Sequence, residues 1–385
     1  MSIKSSNKLY FPNLNGLRFI AAFFVIINHT EQLKLLYKTG NVLSSSIRNI
    51  GKLGVMIFFV LSGFLITYLL LSEERTFGLI NTKKFYIRRF LRIVPLYALI
   101  IFIVYAILQN FSFWDIPHVK NPITDNFKST LVLHFVFLPN LAYAIYGFLP
   151  YISQAWSIGT EEQAYLIWPL LLKRFKKNRA YLMIGIIIIY LIIRIILRLP
   201  FLSFAFNDVF YKFWMCFNID SIAVGGLFAV LLFQKHAILK YIINQKAFFI
   251  ALIVAISFLL IGITIPYFQY LFYSFLFGVI IINLAANKKL ENALEFVILD
   301  YLGRISFGIY MYHFIVSIVI LKLVTKYNIF TNWIIYPLIF AGTIAIASLS
   351  FHYFESYFLK LKRKYTLIKR ETTIKITTQK TRLNE

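Results

Sequence analysis

Residues 53–72 read LGVMIFFVLSGFLITYLLLS, a run of twenty residues without a charged side chain. At a rise of about 1.5 Å per residue, a helix of this length crosses the hydrocarbon core of a bilayer. The whole chain has the same character, because 60% of its 385 residues are hydrophobic and only 14% are charged. Its mean hydropathy is +0.74. The sequence therefore predicts an all-α, polytopic membrane protein and excludes a soluble globular, a disordered or a fibrous protein.

Further apolar runs predict about ten membrane-spanning helices. Each run has close to the ~20 residues that a span requires, except for a short fourth run that must borrow residues from its flanks. The runs lie at 14–32, 53–72, 90–109, 161–173, 180–198, 213–234, 247–265, 267–287, 305–325 and 333–353. The first run contains Arg18 and His29 and lacks a small-residue cleavage site, so we expect a retained span rather than a signal peptide.

The loops between the spans predict the orientation. Four clusters of basic residues fall on one side of the membrane only if residues 131–148 do not cross it. The clusters lie near 83–92, 173–179, 235–246 and 360–370. Because basic residues mark cytoplasmic loops, we expect 131–148 to be re-entrant or peripheral and both termini to be cytoplasmic. The predicted divisions are a cytoplasmic N-terminus (1–13), a membrane domain (14–357) and a basic cytoplasmic tail (358–385).

The net charge of the chain indicates which partners it could bind. Lys and Arg number 40 against 15 Asp and Glu, a net charge of +25. In a soluble protein this excess would indicate nucleic-acid binding. In a membrane protein, cytoplasmic loops account for it, so we expect the lipid bilayer and no nucleic acid as a partner. The single cysteine, Cys216, excludes an intrachain disulfide and a cysteine-based metal cluster, and we expect no metal site.

Two ionisable residues in the first span point to chemistry, because charged groups inside a membrane are costly. Arg18 and His29 are 11 residues apart, or roughly 16 Å along a helix, and three turns plus about 20° place them on one face. A permanent cation near the cytoplasm and an imidazole further in suit an anionic donor whose reactive end reaches inward. The alternative is an arginine that extends to the interface and a histidine bonded to a neighbouring helix.

Further candidates lie at the ends of later spans. Arg88, Arg89 and Arg92 begin the third span and suit phosphate binding, although such clusters also arise from topology alone. The run WSIGTEE, residues 156–162, begins another span. Glu161 and Glu162 could serve only the helix N-terminus, but one of them could also orient or deprotonate a hydroxyl, or pair with His29.

Polar residues in the later spans complete the set. Asp220 is a buried acid that could simply join helices. Ser306, Tyr310 and His313 are spaced by four and three, so they share one helix face and form either a packing network or part of a site. Taken from the residues alone, the pattern suits group transfer across the bilayer or a proton-coupled transporter.

Several motifs in order resemble those of the acyltransferase-3 family of integral membrane O-acyltransferases. The similarity covers roughly residues 10–357. The motifs are LNGLRFIA at 14–21 with His29, Gly54-Val55 with FFVLSGFLI at 58–66, RRFLRIVPLY at 88–97, Trp156-Ser157 with EEQ at 161–163 and Tyr165-Leu166, Asp220 with Gly225-Gly226, and Leu302-Gly303 with Ile305-Ser306 and Tyr310 to His313. Two positions differ from the family pattern, because Asn15 replaces a common Asp and Ala164 replaces a common aromatic residue.

The resemblance implies an enzyme of the bacterial inner membrane. An acyl-CoA, most simply acetyl-CoA, would be a co-substrate at the cytoplasmic face rather than a tightly bound cofactor. The acyl group would pass to a hydroxyl of an envelope glycan on the other side. Because the sequence contains no SGNH-type domain, we expect either one domain for the whole reaction or a separate extracytoplasmic transferase partner. A proton-coupled or saccharide transporter without acyl chemistry is the alternative function.

The resemblance also implies residue roles. His29 is the catalytic histidine, and Glu161 is the acidic residue at the external mouth. The other implied residues are Arg18, Arg88, Arg89, Arg92 and Tyr97 for the donor, Trp156, Ser157 and Glu162 for the acceptor, and Asp220, Ser306, Tyr310 and His313 as further motif positions.

Overall fold

The computed structural model describes residues 8–9, 11–42, 44–117, 119, 121–199, 207–329 and 331–370. The remaining parts of the predicted termini, at 1–7, 10 and 371–385, lie outside the described residues. The fold is all-helical, as predicted. Its one strand pair, β1 (Lys8–Leu9) with β2 (Lys369–Arg370), is parallel and joins the two ends of the described chain.

Seventeen α-helices make up the described fold. They are α1 (Leu14–Tyr37), α2 (Ser45–Phe77), α3 (Thr82–Phe102), α4 (Pro122–Asp125), α5 (Phe127–Phe135), α6 (Pro139–Tyr146), α7 (Ala155–Arg174), α8 (Arg179–Ile196), α9 (Asn207–Phe217), α10 (Ile219–Gln234), α11 (Leu239–Ile242), α12 (Gln245–Ile261), α13 (Gln269–Ala286), α14 (Val297–Arg304), α15 (Ser306–Lys326), α16 (Asn332–Ser350) and α17 (Ser356–Arg363). Short π-helical segments, Ile103–Ile107 and Phe351–Glu355, continue α3 and α16. Such helices satisfy the backbone hydrogen bonds within each span, which a bilayer requires.

Eight helical stretches within the described residues are long and apolar enough to cross a membrane. They are Leu14–Tyr37, Ser46–Phe77, Thr82–Asn110, Arg179–Ile196, Asp208–Gln234, Gln269–Ala286, Ser306–Lys326 and Asn332–Arg363. The other two predicted spans fall on α7 and α12. Helix α7 reaches 20 residues by beginning at Ala155, but it carries four charged side chains, whereas α12 is apolar but has only 17 residues.

The segment predicted not to span, 131–148, is broken into two short helices. Helix α5 has nine residues and α6 has eight, well below the ~20 that a span requires. Between them Phe137 takes a left-handed conformation with φ of 59°, and Pro139 begins α6. Proline suits the first turn of a helix and cannot continue the preceding one. The break therefore agrees with a re-entrant or peripheral segment.

Helix α1 extends further at its C-terminal end than predicted. It continues to Tyr37 and includes Glu31 and Lys34, which form a buried ion pair with an Nζ–Oε1 distance of 2.6 Å. Two residues of α16 complete the pair, because Asn332 accepts from Lys34 at 2.6 Å and Tyr336 donates to Glu31 at 2.7 Å. Both charges are therefore compensated, and the helix extends further into the protein than the apolar run.

The α2–α10 contact is the closest helix crossing in the bundle. A Cβ atom on Gly63 of α2 would lie 1.9 Å from the Ile222 carbonyl oxygen, and one on Gly225 of α10 would lie 1.9 Å from that of Val60. Backbone therefore meets backbone, which requires glycine at both positions. Such close packing drives association of membrane helices, since lipid tails are as apolar as the side chains. Helix α1 packs on α2 and on α15, and these helices surround the polar interior.

Candidate active site

A cationic cavity lies at the end of the bundle where α1, α3 and α15 begin and α2 and α17 end. It brings together eight of the residues predicted from sequence. They are Arg18, Arg88, Arg89, Arg92, Ser157, Glu161, Ser306 and Tyr310. The end of α17 contributes Lys362 to the same wall, and the segment after it contributes Thr366, Leu367 and Ile368. The sequence prediction missed these four residues, and the only signal for them was the basic character of the tail.

The arginines are held in different ways. Arg88 donates to the Glu73 carboxylate at 3.0 Å and to the Tyr365 carbonyl at 3.0 Å. Arg89 instead lies over the Tyr165 ring, with its guanidinium carbon 4.9 Å from the ring centre. Such stacking orients a guanidinium while leaving its N–H edges directed elsewhere. Glu73 therefore forms an ion pair with Arg88, whereas an aromatic ring orients Arg89.

At the α1 wall, Arg18 donates to the Asn15 amide oxygen at 2.8 Å, and the Asn15 amide donates to Asp300 at 2.6 Å. Asn15 thus links the cation to a carboxylate on α14. As an amide, Asn15 bonds both neighbours at once, accepting from the guanidinium and donating to the acid. Asn15, which replaces the Asp common in the family, therefore has a structural role that needs no ionised group at this position.

Glu161 lies among hydroxyl groups in the cavity. Its two carboxylate oxygens accept from Ser62 at 3.0 Å and from Tyr165 at 2.8 Å, and these two hydroxyls are 2.7 Å apart. Arg89 and Arg92 are close enough to act on it electrostatically. Ser62 and Tyr165 occur in the quoted motifs, but they are not among the predicted site residues. A hydroxyl within a long apolar run was their only sequence signal.

Glu161 lies inside the bundle, on the first turns of α7. Helix α7 begins inside the bundle, because the preceding chain, including Tyr151, Ile152 and Gln154, is buried. The first turns of α7 therefore lie at the level of the arginines. Glu161 faces the same cavity as Arg89, and its place at the external mouth stays a prediction.

Two histidines lie behind Tyr310, outside the lining of the cavity. Tyr310 donates to the Gln154 carbonyl at 3.0 Å and lies 2.7 Å from the Ser157 hydroxyl. Its ring centre is 5.8 Å from that of His313. His313 Nε2 is 2.8 Å from His29 Nδ1. Tyr310 therefore lies between the cavity, which it lines, and a histidine pair that joins α1 to α15.

The order of these groups matches a known family across most of the chain. A family model described as an acyltransferase domain, that of the acyltransferase-3 family, matches residues 11–352. The chain belongs to the acyltransferase-3 family. The paired histidines, the cationic cavity and Glu161 all lie within or between elements of this domain, whereas the tail residues in the cavity wall follow it.

Curated relatives of this acyltransferase-3 chain are bacterial. "Peptidoglycan O-acetyltransferase OatA" of Listeria monocytogenes serovar 1/2a is 32% identical over 179 residues, covering 44% of this chain and 25% of the relative. "Putative O-acetyltransferase SACOL0978" of Staphylococcus aureus strain COL is 33% identical over 163 residues, covering 42% and 25%. The chain aligns with about a quarter of the length of these curated relatives. No solved structure matches it significantly.

Besides the two histidines, four predicted site residues lie outside the lining of the cationic cavity, and the first two are Tyr97 and Glu162. Tyr97 donates to the His134 carbonyl at 3.0 Å and stacks on Phe137. Burial lowers the pKa of His134 to about 4, so this histidine is neutral near pH 7. Glu162 projects into a second groove, whose lining includes Arg89 and Lys364. Tyr97 therefore connects α3 to the broken segment, and Glu162 shares its groove with Arg89.

Trp156 and Asp220 are also outside the cavity lining of this acyltransferase-3 domain. Trp156 packs edge-on against Phe59, a cavity residue, with ring centres 6.0 Å apart. Asp220 is fully buried 3.8 Å from the Arg194 guanidinium, and Arg194 also donates to Tyr190 at 3.0 Å. This ion pair joins α8 to α10, so the buried position of Asp220 is explained by helix packing.

Proposed function

We propose that this protein is a membrane O-acyltransferase that moves an acetyl group from acetyl-CoA to a hydroxyl of a cell-envelope glycan. The observation that carries the proposal is the cationic cavity, whose lining residue Tyr310 lies beside the His29–His313 pair. The family match supports acyl transfer, and the names of the relatives support acetyl as the group and peptidoglycan as one candidate acceptor.

The donor would bind with its phosphates among the arginines. Guanidinium groups bind phosphate through paired, charge-assisted hydrogen bonds. Arg18 and His29 are separated by roughly 16 Å along α1, a distance that the flexible pantetheine arm would cover. Arg18 shares the cavity with Ser306 and His29 contacts His313, so both face α15, in agreement with their helical spacing. The thioester would then lie near the histidine pair.

Two chemical routes are open at His29. In the first, its ring nitrogen takes the proton of the acceptor hydroxyl, the oxygen attacks the thioester carbonyl, and the C–S bond breaks. The proton then passes to the departing CoA thiolate. In the second, the ring nitrogen attacks the carbonyl itself, the C–S bond breaks, and CoA leaves as the thiolate. The acceptor hydroxyl then attacks the acyl group, the bond from the acyl carbon to the ring nitrogen breaks, and the hydroxyl proton neutralises the CoA thiolate. In both, Glu161 would orient groups within the cavity through Ser62 and Tyr165.

The proposed orientation follows the basic residues. The cationic cavity lies at the same end of the bundle as Lys362 and the chain beyond α17. Basic residues are typical of a cytoplasmic surface, so we assign this end to the cytoplasm. The glycan hydroxyl would approach His29 from the opposite side, in a bacterial inner membrane. A separate extracytoplasmic transferase would be required only if the final acceptor cannot reach the histidine pair.

Arg92→Ala tests the donor site. We expect the detergent-purified wild-type protein to bind acetyl-CoA, and the variant to bind it about tenfold to a hundredfold more weakly, since a hydrogen bond to a charged group contributes roughly 1.5–3 kcal/mol. Equilibrium binding, measured by calorimetry, gives the two dissociation constants. Arg174→Ala is the matched control, because Arg174 is exposed and does not line the cavity.

The binding measurement would contradict the proposed function if the wild-type protein did not bind the donor. If the wild-type protein has no affinity for any acyl-CoA, the donor site does not exist. The transporter function would then take its place, with substrate flux that depends on membrane potential and no acyl-CoA turnover.

Lys362→Ala tests whether the tail belongs to the donor site. Lys362 lines the cavity, whereas Lys360, two residues earlier, is exposed and does not. We expect Lys362→Ala to weaken acetyl-CoA binding about 3- to 10-fold, because a solvated ammonium contributes less than a buried guanidinium. Lys360→Ala removes the same charge and should leave the affinity unchanged. An equal loss in both variants would indicate a general effect of net charge and would remove Lys362 from the site.

A further inference from the structure

A relay of hydrogen bonds determines which nitrogen of His313 carries its proton. His313 Nδ1 lies 2.6 Å from the carbonyl oxygen of Tyr310, one turn earlier in α15. A carbonyl oxygen can only accept a hydrogen bond, so Nδ1 of His313 must be the donor. In a neutral imidazole the other nitrogen then has a lone pair. His313 Nε2 is therefore an acceptor.

That acceptor in turn determines the tautomer of His29. His29 Nδ1 is 2.8 Å from His313 Nε2, so Nδ1 of His29 carries the proton and donates it. Nε2 of His29 is left with a lone pair. Within the described part of the chain, no hydrogen bond is made to this Nε2. His313 is fully buried, whereas His29 is partly accessible.

Packing holds the two rings in this arrangement. The ring planes of His29 and His313 are inclined by only 12°, and the Phe314 ring lies 4.6 Å from that of His29. The hydrogen bond joins α1 to α15 across 284 residues of sequence. His29 therefore contacts two consecutive rings of α15, and these contacts restrict its rotation.

We propose that His313 is a positioning residue that holds His29 in the tautomer whose Nε2 is basic. This inference rests on the proposed function, and it applies to both chemical routes, since each begins with a lone pair on Nε2. When that nitrogen takes the proton of the acceptor hydroxyl or bonds to the acyl carbon, His29 becomes positively charged. His313 Nε2 still accepts from Nδ1 and so stabilises this cation, as the third member of a catalytic triad does.

His313→Asn and His313→Gln form a matched pair for the test. The amide of asparagine reaches about as far as Nδ1 of histidine, so it can keep the bond to the Tyr310 carbonyl but does not reach His29. The amide of glutamine reaches about as far as Nε2, so its oxygen can still accept from His29. Both substitutions are neutral and polar, and a thermal unfolding scan of each purified variant shows whether it is folded.

We expect His313→Asn to lower kcat for acetyl transfer about 100-fold, a typical contribution of positioned base catalysis, with KM for acetyl-CoA changed less than about twofold. His313→Gln should keep kcat within about threefold of wild type. Equal kcat values in the two variants, whether high or low, would overturn the relay. A wild-type protein that does not turn over acetyl-CoA would contradict the proposed function and, with it, this inference. Wild-type turnover combined with equal variants would contradict the relay alone.

Discussion

His29→Ala is expected to bind acetyl-CoA with wild-type affinity and to lose acyl transfer, with kcat reduced by about 10²–10⁴-fold. The imidazole of His29 is the group to which we assign the catalytic role. The donor phosphates would lie among the arginines, roughly 16 Å away along α1. Removing His29 should therefore remove chemistry and spare binding. Calorimetric binding and single-turnover acetyl transfer measure the two effects separately.

The control for this prediction is His236→Ala. His236 is exposed and lies after α10, so its removal should change neither binding nor turnover. A His29→Ala protein that transfers acetyl at the wild-type rate would contradict the assigned role. Equal losses of binding and turnover would instead place His29 in the donor site.

Rapid-quench labelling separates the two routes at His29. Wild-type protein is mixed with labelled acetyl-CoA in the absence of an acceptor and quenched within one turnover. Label on His29 would establish the acyl-imidazole route and exclude direct transfer. Release of CoA only when an acceptor is added, without labelled protein, would support base catalysis.

Gly225→Ala should have the largest effect on stability. The new Cβ atom would lie 1.9 Å from the carbonyl oxygen of Val60, far inside van der Waals contact. Neither backbone can move away without separating α2 from α10. Overpacking typically costs about 1–3 kcal/mol, and a clash between two backbones belongs at the upper end of that range or above it. We expect a marked fall in the thermal unfolding midpoint in detergent and a loss of monodisperse protein.

Gly185→Ala is the matched control. Gly185 is in the middle of α8, and no atom lies within 4 Å of the position of its added Cβ. Alanine is a better helix former than glycine by about 0.5–1 kcal/mol, so this variant should unfold at the wild-type temperature or above it. Equal unfolding midpoints for the two variants would show that the α2–α10 contact is not as close as the structure has it.

Much of the architecture was predictable because membrane spans depend on local properties. Length and apolarity are read from a single stretch of chain, so eight spans and the broken segment at 131–148 follow from the sequence. The other two predicted spans fall on α7, which carries charged side chains, and on α12, which is shorter than a typical span. The end of α1 was missed because Glu31 and Lys34 look unfavourable in a span until Asn332 and Tyr336 are seen beside them.

The candidate site was predictable only one helix at a time. Helical spacing places Arg18 and His29 on one face of α1, and the structure turns that face toward α15. The spacing of Ser306, Tyr310 and His313 likewise defines one face of α15. Periodicity within a helix determines these faces, because side chains three or four residues apart lie together.

What the sequence by itself determined is therefore the set of helices and the polar face of each. The tertiary structure decided which faces meet. His29 and His313 become partners, Glu161 joins the arginines because α7 begins inside the bundle, and Tyr97 is turned away toward the broken segment. These outcomes depend on how the helices cross and rotate, which backbone contacts such as that of Gly225 with Val60 establish over long distances in sequence. No local pattern contains that information, since it arises only when the helices pack.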